Sequence, residues 1–204
     1  MYHKLNITDR GILKYMKPFQ VFLVLLVFAV FTSACKQPNP ISNIAKNDLR
    51  IILIRHGEKP DNGDNLSCQG FNRSLQLPKI LYSRFGIPND IYVPAPGLGK
   101  ATKNSRMLET IIPFAVKYNL QINTSFDVDA VSPLAQELKT KTGTILIVWE
   151  HKELPDIAKN LGINSELKWK SDDFDTIWII DIRNGTASMS ADQENISTPD
   201  NCSF

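Results

Sequence analysis

The sequence predicts an α/β domain, a three-layer α/β/α sandwich with a mostly parallel central sheet and a C-terminal antiparallel hairpin. Three observations predict it. LRIILIR at 49–55 and TILIVWE at 144–150 are almost continuous apolar runs, the pattern of strands buried on both faces. Segments with apolar residues at helical spacing separate and follow them. Near the end, DTIWIIDI at 175–182 and TASMS at 186–190 flank Arg183, Asn184 and Gly185, and an Asn-Gly pair in that position marks a hairpin turn.

The elements follow in order. After the first strand and the loop GEKPDNGDN, Ser67 is placed to cap a helix reaching about Phe85, with Leu75, Leu77, Ile80 and Leu81 as its apolar stripe. IYVP at 91–94 reads as a short strand, and a loop rich in proline and glycine comes next. Met107, Ile111, Phe114 and Ala115 restore helical spacing, and residues 121–124 read as another short strand. A helix at 130–140, the buried strand at 144–150 and a helix at 155–161 beginning with Pro155 lead into the hairpin. Strands alternating with helices make a layered α/β domain, and there is no internal repeat.

Residues 49–190 are thus the expected folded domain and residues 191–204 a C-terminal tail. The N-terminus is different in kind. Val21 to Phe31 is an unbroken apolar run of 11 residues, too short to span a bilayer, followed by Thr32, Ser33, Ala34 and Cys35. A basic stretch, a short apolar core and small residues before a cysteine describe a lipoprotein-type signal peptide over residues 1–34, read from Met1 or from Met16. Residues 35–48 are then the lipidated Cys35 and a tether with two prolines and no apolar period. The expectation is an extracytoplasmic, membrane-anchored lipoprotein of a bacterial cell envelope; plain secretion and an N-terminal anchor are the alternatives, and both also lie outside the cytoplasm. Cys68 and Cys202 remain as possible disulfide partners there, although nothing in the sequence shows that they meet.

The chain of 204 residues is 43% hydrophobic and 22% charged, the composition of a globular domain. Its formal charge of +2 comes from the signal segment, where Lys4, Arg10, Lys14 and Lys17 stand against Asp9, leaving 19 basic and 20 acidic residues beyond. A near-neutral body excludes the broad basic surface of a nucleic-acid binder, while a few local cations can still hold a small anion.

Ligands of open α/β sheets bind beyond the C-terminal ends of the strands. The first buried strand ends in Arg55-His56-Gly57-Glu58 and the second in Glu150-His151, which hold the only histidines after the signal segment. A neutral imidazole can attack phosphorus, and a second one can donate hydrogen bonds to phosphoryl oxygens. Two histidines at matching strand ends favour that chemistry over simple strand caps. No metal motif is present, and no cofactor is expected.

LIRHGEKP at 53–60 resembles the signature of the histidine phosphatase superfamily, the phosphoglycerate mutase-like family. LSCQGFNRS at 66–74, with Leu66, Ser67, Gly70 and Arg73, and RMLETIIPFA at 106–115 resemble its next two motifs in the same order, and the strand ending in His151 matches its second histidine. The similarity covers about residues 49–185. It implies a phosphoglycerate mutase-like fold in which His56 is phosphorylated and Arg55, Arg106 and His151 surround the transferred group, with Arg73 a weaker candidate for substrate contact. Arginine suits this role because its planar fork holds phosphoryl oxygens at two points and stays charged.

A leaving oxygen needs a proton, so a carboxylic acid is expected near His56. Glu58 is the first choice, with Glu150, Asp127 and Asp129 as alternatives; a phosphohistidine substrate would need none. PAPGLGKATKNS at 94–105 is a longer loop than the family has and is expected to shape a pocket wall. The domain has no room for the lid of the family's larger members, which points away from its phytase-like and acid phosphatase-like branches. The activity implied is that of a hydrolase, a small phosphomonoesterase or phosphohistidine phosphatase acting on a small phosphorylated substrate. A catalytically silent anion- or phosphate-binding lipoprotein and a phosphomutase are the alternatives.

Overall fold

The computed structural model describes residues 48–97, 104–202 and 204. The signal peptide, Cys35 and the tether up to residue 47 lie outside the described residues, as do 98–103 of the glycine-rich loop. Among the described residues five strands form one sheet in the order β2-β3-β1-β4-β5: β1 Leu49–Arg55, β2 Asp90–Tyr92, β3 Gly143–Trp149, β4 Thr176–Arg183 and β5 Thr186–Gln193. Four helices accompany it, α1 Cys68–Phe85, α2 Ser105–Tyr118, α3 Val131–Leu138 and α4 Leu154–Asn160.

β1 is central because both of its faces are apolar. Leu49, Ile51 and Leu53 pack with α3 and α4 through Leu134, Leu138, Leu154 and Ile157. Ile52 and Ile54 pack with α1 and α2 through Leu77, Leu81, Met107, Ile111 and Phe114. Each fully buried aliphatic side chain contributes about 1.5–3 kcal/mol relative to exposure, so this strand is fixed from both sides and its C-terminal end cannot wander. Three layers result.

The expected sheet needs correction in one respect. β2, β3 and β1 are parallel, but β4 pairs antiparallel with β1 itself, and β5 with β4, so half of the pairings are antiparallel rather than a minority. The long loop after α4 carries the chain back across the C-terminal end of the sheet, and β4 can only enter from that end. Residues 121–124 form no strand; Asn123 makes a single bridge to Tyr92. At the hairpin Asn184 and Gly185 both have positive φ, 50° and 77°, the mirror-image turn that an Asn-Gly pair favours.

The C-terminal tail packs onto the domain through residues 191–202. β5 runs on to Gln193, Glu194 is fully buried, and the side chain of Asn72 donates to the carbonyls of Pro199 and Asn201 at 3.1 and 2.8 Å. Cys202 is bridged to Cys68, the first residue of α1, across a separation of 134 residues. Closing so long a loop removes much of the unfolded chain's freedom, worth about 4–5 kcal/mol on the loop-entropy account. Cys202→Ser should therefore lower the unfolding free energy by about that amount in urea titrations, and reductant should bring the wild type to the same midpoint while leaving the variant unmoved.

Candidate active site

The β1–β3 register sets Arg55 opposite Trp149, so the residues that follow, His56 on one strand and Glu150-His151 on the other, leave the sheet side by side. The backbone N–H of His56 donates to the Trp149 carbonyl at 3.3 Å. Beyond it the chain is clamped. Gly57 N–H donates to Thr110 Oγ1 at 2.8 Å, and that hydroxyl donates to the Arg106 carbonyl at 2.7 Å. The Glu58 carbonyl accepts from the N–H and the hydroxyl of Ser67 at 2.9 and 3.2 Å, while Ser67 Oγ caps α1 by accepting from Gly70 N–H at 3.1 Å. A Cβ on Gly70 would lie 2.3 Å from the Glu58 carbonyl oxygen, so only glycine permits this approach.

His56 is buried, and its Nδ1 lies 2.7 Å from the Gly57 carbonyl oxygen. A carbonyl only accepts, so Nδ1 carries a proton and Nε2 is the nitrogen free for chemistry. Nε2 is 3.4 Å from Glu150 Oε2, and Glu150 Oε1 is 2.6 Å from His151 Nδ1. One carboxylate thus spans both imidazoles. Burial works to raise the Glu150 carboxyl, but the His56 hydrogen bond and the charges of His56, His151 and Arg55 hold it at about 2, well below its ordinary value. His151 is shifted down, first by burial and then by the Arg55 guanidinium, with Glu150 opposing.

Arg55 is 2% exposed and strapped in place by the loop before β4. Its terminal nitrogen donates to the carbonyls of Ser171, Asp173 and Lys170 at 2.8, 3.1 and 3.4 Å, and its guanidinium carbon lies 3.7 Å from the centre of the Phe174 ring. The other terminal nitrogen is 3.2 Å from His151 Nδ1. Burial lowers the Arg55 pKa to about 10, with Glu150 opposing, so the charge is kept at neutral pH. The Nε atoms of Arg55 and Arg106 are buried without hydrogen-bond partners, and Arg106 donates to the Gly63 carbonyl at 3.3 Å.

A cavity of about 390 Å³ opens on this cluster. Arg55, His56, Arg106, Glu150 and His151 line it, together with Lys59, which stands inside the motif at 53–60, and Lys152, Ser171 and Phe174, which no sequence motif marks. Two larger depressions, of about 670 and 630 Å³, lie by the opposite end of β1 and beside β2 and contain no histidine or arginine. Of these three, the smaller cavity alone gathers histidine and arginine. Thr110 is a further residue not singled out in the sequence, although it stands inside the motif at 106–115.

Two expected site residues lie elsewhere. Arg73 does not line the cavity: it is 3% exposed and bound to the fully buried Glu194 at 2.6–2.7 Å, and burial pushes the Glu194 carboxyl up to about 7 although the Arg73 charge opposes it. Glu58 turns toward Arg73, 3.8 Å away, and does not line the cavity. Both follow from residue 194 being packed into the domain. Asp127 and Asp129 lend backbone carbonyls to the start of α3 and also stand off the cavity.

No protein-family model matches the chain, and no curated protein does. Solved structures resemble it at low identity. A phosphoserine phosphatase mutant from Entamoeba histolytica, in complex with phosphoserine, is 14% identical over 72% of this chain and 97% of its own, with a TM-score of 0.48. A phosphoglycerate mutase from Bacillus anthracis is 10% identical over 72% and 93%, with a TM-score of 0.49. The protein histidine phosphatase SixA complexed with tungstate is 14% identical over 71% and 97%, with a TM-score of 0.47.

The depressed Glu150 carboxyl has a pH signature. A carboxyl whose folded pKa lies below its unfolded value adds stability above the unfolded pKa of 4.5 and loses it as pH falls toward about 2. The stability gap between wild type and Glu150→Gln, measured by urea unfolding, should be full at pH 7 and narrow steadily below 4.5.

Proposed function

We propose that this chain is a phosphatase of the histidine phosphatase superfamily, hydrolysing a phosphomonoester or a phosphohistidine through a phosphohistidine on His56. We also propose that a lipid on Cys35 holds the domain outside the cytoplasm. One observation carries the catalytic reading: Gly57 fixes Nδ1 of the buried His56, leaving Nε2 directed at a cavity where Arg55, Arg106 and His151 converge. The signal-like N-terminus carries the second reading, and the Cys68–Cys202 bridge suits an oxidising compartment.

In the resting site Glu150 is ionised beside the free Nε2 of His56. A phosphoester entering as its monoanion brings a proton, and its like charge beside Glu150 raises the carboxylate's proton affinity, so that proton moves from the phosphoryl oxygen to Glu150. The Nε2 lone pair attacks phosphorus; the P–N bond forms, the P–O bond to the leaving group breaks, and Glu150 gives its proton to the leaving oxygen. Water then attacks the phosphohistidine. The new P–O bond forms as the P–N bond breaks, Glu150 takes a water proton and hands it to the departing phosphate, and the Nε2 lone pair is restored as inorganic phosphate leaves. Arg55, Arg106 and the two lysines meet the charge spread over the equatorial oxygens. A silent anion receptor would use the same cations but gains nothing from a fixed carboxylate between two histidines.

Hydrolysis of p-nitrophenyl phosphate by the chain, made without a histidine tag and assayed with a chelator, tests this. Turnover should vanish in His56→Ala and fall roughly 100- to 1,000-fold in Arg106→Ala and His151→Ala. Release of inorganic phosphate excludes a mutase. Absence of turnover on that ester and on a panel of small phosphoesters and phosphohistidine would overturn the proposal in favour of the binding protein.

Glu150→Gln separates proton donation from simple structure. With an alkyl phosphate, whose leaving oxygen is strongly basic, kcat should fall about 100-fold or more, whereas p-nitrophenyl phosphate, with a weakly basic leaving group, should be far less affected.

A further inference from the structure

We propose that His56, Glu150 and His151 also form a site for a divalent transition metal, zinc foremost, and that the metal shuts the enzyme off. The three side chains offer ligand atoms that all lie within 4.8 Å of one another. Zinc takes histidine nitrogen and carboxylate oxygen at about 2.0–2.2 Å in a tetrahedron, so shifts of about an ångström would seat all three and leave the fourth position to the cavity. The nitrogen-rich donor set suits zinc, cobalt, nickel or copper rather than magnesium or calcium.

The supporting contacts fit as well. A metal-bound imidazole is characteristically oriented by a carbonyl on its other nitrogen, and the Gly57 carbonyl already holds His56 in that way at 2.7 Å. The Trp149 carbonyl fixes the backbone of the same residue. The demand that makes Nε2 a nucleophile, a lone pair aimed into an open cavity, is the demand of a zinc ligand. One lone pair cannot serve both, so metal binding and phosphoryl transfer exclude each other.

Charge decides whether such an ion resides or visits. Glu150 attracts it, but the Arg55 guanidinium stands 3.2 Å from His151 Nδ1, and Lys59 and Lys152 line the same cavity. Those cations oppose a dication and favour a phosphate. The ion is therefore a reversible inhibitor that competes with substrate, not a resident cofactor.

Binding can be read apart from activity, while the inhibition rests on the phosphatase reading. Titrating the whole untagged chain with cobalt(II) should give the intense visible absorption of four-coordinate cobalt, saturating at one ion per chain. The band should be lost in His151→Ala and in Glu150→Ala, with affinity at least roughly 100-fold weaker, and displaced by inorganic phosphate. Both variants are checked for cooperative unfolding so that loss of fold is not mistaken for loss of a ligand. In the active wild type, zinc should raise the apparent KM without changing kcat, and chelator should reverse it. A chain that folds and shows no such band, or a band unchanged in both variants, overturns the site. Zinc that binds an active enzyme without slowing it overturns the inhibition. A chain without phosphatase activity that still shows the band sinks the catalytic reading and upholds the metal site.

Discussion

The parallel pairing of β1 with β3 is the constraint on which the rest depends. Aligning Arg55 with Trp149 makes the two chains leave the sheet together, and no other pairing in this sheet would deliver His56 and His151 to one place. The pairing is secured away from the site, by Ile51, Ile52, Leu53 and Ile54 on one strand and Ile145, Leu146, Ile147 and Val148 on the other, all buried. Apolar burial carries the geometry of the strands, and the polar groups at their ends are set by it.

Those polar groups are in tension. Two imidazoles, a guanidinium and a carboxylate share one small volume, and each partner suits only some of the others. Glu150 reconciles the histidines, and the loop before β4 reconciles Arg55 by offering carbonyls on one side and the Phe174 ring on its face. That loop is itself tied down. The Asp173 side chain accepts from the backbone of Asp175 and Thr176 and from the Thr176 hydroxyl, and Trp169 donates to the Asp173 carbonyl at 2.9 Å. A guanidinium held this firmly keeps its charge in place without reorganising, which is the condition for stabilising charge that develops late in a reaction.

The parts of this arrangement legible in the sequence are those governed by local rules. Unbroken apolar runs announce strands buried on both faces, Ser67 announces the start of α1, and Asn184-Gly185 announces the hairpin, because each depends on neighbours within a few residues. The two histidines at matching strand ends were legible for the same reason. What could not be read depends on residues far apart in the chain. The burial of Arg73 follows from Glu194, 121 positions away, and the stacking of Phe174 on Arg55 from a loop with no periodic pattern. The antiparallel entry of β4 likewise follows from the path of that loop and not from the composition of the strand. Glu58 and Glu150 both follow a strand end within a few residues, and only the fold turns one toward Arg73 and the other between the histidines.

The C-terminal stretch, with Glu194 under Arg73 and Cys202 bridged to the first residue of α1, bears on how such a chain acquires its structure in time. The start of α1 holds the loop bearing His56, so the last-made part of the domain secures one of the first. A chain still emerging from the ribosome would present His56 well before Glu194 exists to neutralise Arg73, and until then α1 carries a cation on its inner side with no buried partner. A version trimmed before residue 194 would therefore lose far more than its end, since Arg73 would have no Glu194 and Cys68 no bridge.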